Sequence, residues 1–282
     1  LPDIKGRNKI LSVHSLSKPL SDDVDLNFWA ARTAGFSGAD LENLMNESAI
    51  HCARNFSKKI SNENIENALE KITLGLRSSN VVSNKVKKIR AYNEVGRAIV
   101  SAVNNGIDSI DKITILPRSG FIGGYTKIAP DDDVISSGLI SKKLLLSKIE
   151  IALAGRAAEI VVFGTSEITQ YAANNINYST DIAKEMVTKY GFSVIGPVCL
   201  DQNKDEVFLG NSLLRNKSLI ADKTSSIIDN QIIRISKEAL TNAILKIRNN
   251  RSMLEKIVEV LIDEETIDGN RFKELSTNLL KV

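Results

Sequence analysis

The chain has 282 residues, 43% hydrophobic and 25% charged, with a formal net charge of +3. That is the make-up of a soluble globular chain, neither a disordered polymer nor a fibre. Its two cysteines, Cys52 and Cys199, and two histidines, His14 and His51, exclude a disulfide framework, a cysteine metal cluster and a histidine-rich zinc site by counting alone.

The first 75 residues read as a small helical bundle. Asp3 can cap a helix carrying Arg7, Ile10, Leu11 and His14 on helical spacing. After Pro19, the Ser21-Asp22-Asp23 turn starts a second helix with Leu26, Phe28, Trp29 and Ala30. The loop Ala34-Gly35-Phe36-Ser37-Gly38-Ala39-Asp40 leads into a third, in which Ser37 and Asp40 have the spacing of a capping box. Its inward stripe is Leu41, Leu44, Met45, Ser48, Ala49 and Cys52. Ser61 starts a fourth through Ile65, Ala68, Leu69 and Ile72. Residues 76–84, with three serines and two asparagines, read as a linker.

Beyond the linker, residues 85–282 again read as mostly helical. A helix over 85–103 is expected to turn Val86, Ile89, Asn93, Gly96, Val100 and Val103 inward. The β-type run Ile113-Thr114-Ile115-Leu116 follows, ended by Pro117 and the pair Gly123-Gly124. Helices are expected over 141–163, 175–190, 219–247, 253–262 and 270–280. No window reaches the roughly 18 consecutive apolar residues that a membrane span needs. The best one, 149–164, is broken by Glu150, Arg156 and Glu159. The sequence pI is about 8.7. Its basic clusters, such as Lys85-Val86-Lys87-Lys88 and Arg248-Asn249-Asn250-Arg251, are short and read as solvated helix faces, so no nucleic-acid partner is expected.

The anomaly is Asn93-Glu94-Val95-Gly96-Arg97. A zinc-peptidase helix carries His-Glu-x-x-His, because the 3.6-residue period puts both imidazoles on one face while the glutamate takes a proton from zinc-bound water. Here the glutamate remains and both ligand positions differ. Asparagine is a weak neutral donor, and a guanidinium has no lone pair to offer a metal.

Its surroundings give the pentapeptide a context. Ala91-Tyr92-Asn93-Glu94-Val95-Gly96-Arg97-Ala98 resembles the Ala-Tyr-His-Glu-Ala-Gly-His-Ala stretch of the FtsH family of membrane AAA+ zinc metalloproteases. Leu1-Pro2-Asp3-Ile4-Lys5-Gly6-Arg7 and Gly35-Phe36-Ser37-Gly38-Ala39-Asp40-Leu41 resemble the helical lid of that family's ATPase. Residues 113–118 look like the strand before its Gly-Gly turn. Ala154-Gly155-Arg156-Ala157-Ala158-Glu159, Phe163-Gly164 and Met186-Val187-Thr188-Lys189-Tyr190-Gly191 match further family segments in order, and Val207-Phe208-Leu209-Gly210 does so loosely.

The resemblance implies a mainly α fold: a small helical AAA+ lid bundle over 1–75, then a mostly helical metalloprotease-like domain over 85–282 with a short β element. In the family a third zinc ligand is an aspartate in a Gly-Ala-Ser-Asn-Asp-like segment. The matching stretch is Tyr171-Ala172-Ala173-Asn174-Asn175, so all three ligand positions are replaced, by Asn93, Arg97 and Asn175. Zinc is therefore expected to be absent and Glu94 to be a vestigial general base, paired with Arg97. His14, Gly38 and Ala39 are the positions the resemblance assigns to part of a nucleotide site. No Gly-x-x-x-x-Gly-Lys-[Ser/Thr] loop occurs, so ATP would be bound and hydrolysed only by a longer protein, with the anchor and the P-loop upstream of Leu1.

The expected protein is a degenerate FtsH-like subunit of a homo- or hetero-hexamer. It would be membrane-anchored in full length, in a plastid, acting on protein substrates without cleaving them. The helices after residue 219 would form the ring surfaces. Two other readings compete. One is a peptidase that holds its metal in another way, and the other is a helical interaction module that binds RNA.

Overall fold

The computed structural model describes residues 1–75, 83–106, 110–117, 123–128, 139–200 and 222–276. Each N-terminal helix begins at a side chain able to satisfy its first backbone amides. Helix α1 (Ile4–Ser15) starts at Asp3, whose Oδ1 accepts from the Gly6 amide at 2.8 Å. Helix α2 (Leu26–Arg32) is capped by Asp25, two residues beyond the expected turn. Both α3 (Gly38–Arg54) and α4 (Asn62–Leu74) open with reciprocal capping boxes, Ser37 with Asp40 and Ser61 with Asn64. Asp and Asn thus do the work usually given to Glu or Gln, and each cap contributes about 1 kcal/mol. The four helices close on Leu11, Trp29, Leu41, Leu44, Met45, Ile65 and Leu69, all buried.

Helix α5 (Asn84–Asn105) begins one residue before the expected boundary, and residues 76–82 of the expected linker lie outside the described residues. The single inward stripe is corrected by the structure. From Arg90 to Ala102 almost every residue is buried, whereas Val86 is exposed. The cause is neighbours on several sides. Helix α6 (Lys142–Phe163) lies along one face, while helix α9 (Arg251–Glu264) and the sheet cover others. Small residues let α5 and α6 approach closely: a methyl group on Gly96 would sit 2.7 Å from the Ala158 Cβ and 3.1 Å from the Ala154 carbonyl oxygen.

Three short strands make one antiparallel sheet: β1 (Ile110–Thr114), β2 (Tyr125–Ile128) and β3 (Thr266–Asp268), in the order β2-β1-β3. Strand β1 thus begins and ends earlier than the expected 113–116 run. Ile113 pairs with Thr126 and Ile267 across its two edges. Between Ile110 and Lys112 the register slips, so Asp111 is an extra residue on β1, and a bulge of this kind re-aims its side chain.

Helices α7 (Ala173–Thr188) and α8 (Asp222–Asn249) pack with α6 around Ile149, Leu153, Ala183, Met186 and Val187. The chain ends in α10 (Gly269–Ser276), which buries Phe272 against the α5 core. The loose match at 207–210 and the outer parts of the helices expected over 219–247 and 270–280 lie outside the described residues. No helix among the described residues is long and apolar enough to cross a membrane.

The four-helix unit meets the sheet through charge. Asp111, on the bulge, takes Arg32 of α2 at 2.5 Å and Lys127 of β2 at 2.9 Å. Arg32 also reaches Glu66 of α4 at 2.8 Å. Deeper in the same seam, buried Glu70 of α4 pairs with Lys112 and accepts from the Tyr125 hydroxyl at 3.3 Å.

Candidate active site

Where α4, α5, β2 and the start of α7 converge, the surface folds into a cleft of about 780 Å³. Its walls include Thr73, Arg90, Glu94, Arg97, the Gly123–Thr126 segment, Tyr171 and Asn175. Among the described residues strand β2 pairs only with β1, and residues 123–127 line this space.

Glu94 sits at the centre and is 2% exposed. Arg97, one helical turn on, places Nη1 3.0 Å from Glu94 Oε2, so the expected pair forms. The Thr126 hydroxyl lies 2.8 Å from the same oxygen. The other oxygen, Oε1, is 3.1 Å from the Tyr171 hydroxyl. Both carboxylate oxygens therefore already have donors. Burial first, and then the Glu94 charge, push the Tyr171 phenol well above its ordinary value, so it stays protonated and donating.

Asn93 is placed differently from the other candidates. It is fully buried, lies behind the cleft wall, and its Nδ2 donates to Glu159 Oε1 at 2.6 Å. Glu159, also fully buried, accepts from the Thr169 amide at 2.6 Å and hydroxyl at 2.9 Å. With its amino group fixed by a carboxylate, the Asn93 oxygen must face the other way. It points at Gly155, where a Cβ would overlap it, and among the described residues it has no hydrogen-bond partner. A carboxylate holding the outward N–H of a ligating histidine is a familiar support for a metal, and here that support holds an amide instead.

Arg97 and Asn175 share the cleft with Glu94; Asn93 does not line it. These side chains do not suit zinc. One oxygen is turned into a helix contact, one group is a cation, and Asn175 offers a neutral amide. Among the described residues, no three His, Cys, Asp or Glu side chains gather as a metal cluster. His14, at the end of α1, and Gly38 with Ala39, at the start of α3, belong to the four-helix unit and do not line the cleft. A side chain at Gly38 would meet nothing within 4 Å, so the backbone there is open to approach.

Sequence reasoning missed three members of the site. Tyr171 had a signal, since a bulky phenol stands where the matched segment has glycine. Glu159 lay within a matched motif with no role attached. Thr126 had no signal, because β2 itself was not foreseen.

A helix bearing a glutamate, an open strand edge beside it and a third helix supplying a late residue together make a metallopeptidase-like site. The peptidase family M41 model matches residues 80–275, and an AAA+ lid domain model matches residues 23–67. The chain belongs to the FtsH family of M41 peptidases. It is 39% identical over its whole length to the chloroplastic ATP-dependent zinc metalloprotease FTSH 8 of Arabidopsis thaliana, covering 40% of that protein. It is 41% identical over 98% of its length to chloroplastic FTSH 6 of the same plant, covering 39% of it. With ATP-dependent zinc metalloprotease FtsH 3 of Synechocystis sp. it shares 38% identity over 98% of the chain and 45% of that protein. The chain thus spans less than half the length of these relatives.

Proposed function

We propose that this chain is the lid and peptidase-like part of an FtsH-type subunit that has lost its zinc site, and with it peptide hydrolysis. Residues 1–75 serve as the lid and residues 85–282 as the peptidase-like domain. One observation carries the reading: Glu94, the residue that would take a proton from water, is already held by Arg97, Thr126 and Tyr171. A carboxylate that already accepts from a guanidinium and two hydroxyls is stabilised in its charged form and is a poorer base toward water.

The rest follows from kinship. Relatives are named as ATP-dependent, and two of those described above as chloroplastic. On that basis the full-length protein binds ATP, with His14, Gly38 and Ala39 contributing to the nucleotide site. It is anchored in a plastid membrane and assembles with FtsH-like subunits into a hexamer that handles protein substrates without cutting them.

The test is the metal content of the purified chain together with its hydrolysis of an unfolded protein. The reading requires less than about a tenth of a zinc per chain and no chelator-sensitive cleavage. Stoichiometric zinc with cleavage that stops on chelation would overturn it.

A further inference from the structure

We propose that Tyr171 is a built-in plug that closes the inner end of the cleft to an extended peptide, independently of the three changed ligand positions. The inference extends the reading above by assigning a second obstacle to the same site.

The geometry of one side chain carries it. The Tyr171 hydroxyl lies 3.1 Å from Glu94 Oε1 and 3.2 Å from the Gly124 carbonyl oxygen, one proton shared between two acceptors. Gly124 immediately precedes β2, which lines the cleft and, among the described residues, has no partner strand on the edge away from β1. An extended peptide would bind such an edge by adding a strand, with its own N–H groups donating to the carbonyls that face away from β1. Tyr171 already donates to the carbonyl at the entry to that edge. Its ring also fills the space beside it: a Cβ on Gly123 would overlap the ring. The two glycines therefore have separate causes, since a Cβ on Gly124 would instead overlap the β1 backbone at Thr114.

Tyr171 is itself locked. It is the middle residue of a single 3-10 turn, Gln170–Ala172, capped by the Thr169 hydroxyl, and Thr169 is bound to buried Glu159. Tyr171 thus joins the base position and the strand edge through its phenol, and the α6 carboxylate that holds Asn93 through its backbone amide and Thr169. The turn fixes the backbone, and the two hydroxyl contacts with the ring's packing on Gly123 hold the side chain in the cleft.

The experiment measures binding of a fluorescent, unstructured apolar peptide to the chain in the presence of chelator, so that no metal enters the result. Tyr171→Gly is expected to tighten binding by at least about tenfold, equivalent to about 1.4 kcal/mol, with new hydrogen-exchange protection over Tyr125–Ile128. Tyr171→Phe, which frees the Gly124 carbonyl but keeps the ring, is expected to recover only a minor part of this. Equal binding by the parent and Tyr171→Gly, or tightening without protection of β2, would overturn the proposal. Should Tyr171→Gly fail to fold, Tyr171→Ala takes its place in the same comparison.

A thermal melt gives a second measure. Gly123→Ala is expected to lower the melting temperature of the parent by about 2–4 °C or more and to cost little on the Tyr171→Ala background. Equal losses on both backgrounds would count against the plug. A parent chain that proves to be an active zinc peptidase removes the function proposed above, whereas the ratio of peptide affinities still decides the role of Tyr171.

Discussion

Asn93 donates to Glu159 across the α5–α6 contact at 2.6 Å, with both side chains fully buried. The pair fixes what this position on α5 can do, because it orients the amide away from the cleft. Asn93→Asp keeps the shape and replaces the donor with a second carboxylate. The expected loss is about 2 kcal/mol or more at neutral pH. It should shrink on acidification, as one carboxyl of the pair takes up a proton. Urea denaturation of parent and variant at two pH values measures both effects.

The Glu94–Arg97 pair is nearly out of water, with side chains 2% and 18% exposed. Removing one partner leaves a buried charge, so Arg97→Met is expected to cost about 3 kcal/mol. Adding Glu94→Gln should restore much of that. A double-mutant cycle in denaturant checks the coupling, and additive losses would show that the pair does not act as a unit.

Gly96→Ala tests the closeness of α5 and α6. The added methyl group meets a Cβ and a backbone carbonyl oxygen, neither of which can rotate aside. The better helix propensity of alanine, about 1 kcal/mol, works the other way. Overpacking of a close helix contact costs about 1–3 kcal/mol, so a net loss is expected. A raised melting temperature would contradict it.

Acid should weaken the fold through two paired carboxyls. Burial pushes Glu150 up, but hydrogen bonds from Lys246, Asn242 and Asn104 and the Lys246 charge outweigh it, holding the carboxyl below its ordinary value of 4.5. Asp111 behaves alike: burial raises it, and Lys127 and Arg32 more than offset that, from an ordinary value of 3.8. A depressed folded value means the stabilisation is complete above the unfolded value and is lost as pH falls through the folded one. Stability should therefore drop as pH falls below about 4.5. The parent's advantage over Glu150→Gln should vanish in the same window, which melts across that range would show.

Local signals made the four N-terminal helices readable. Asp3, Ser37 and Ser61 sit at the caps where their spacing placed them. Ser141 caps α6, and Gly164 ends it with positive φ. Strands β2 and β3 were not readable. Each is four residues or fewer, and each is held by pairing with β1 from far along the chain. The site was half legible for a related reason. Glu94 and Arg97 meet through the helical period, which sequence spacing reveals. Tyr171, Thr126 and Glu159 reach α5 only through tertiary packing.

The seam between the helical unit and the sheet is built from Arg32, Glu66, Glu70, Asp111, Lys112 and Lys127. The apolar clusters of the described residues stop short of it on either side, since the four-helix core and the α5 core share no member. Parting these halves would wet ions and expose little oily surface. Such a joint can open and shut through repeated cycles with little tendency to stick, and because each of its ions is at most 26% exposed, salt screens it only in part. Thr73, in the last turn of α4, forms part of the cleft wall, so each opening would also widen the cleft.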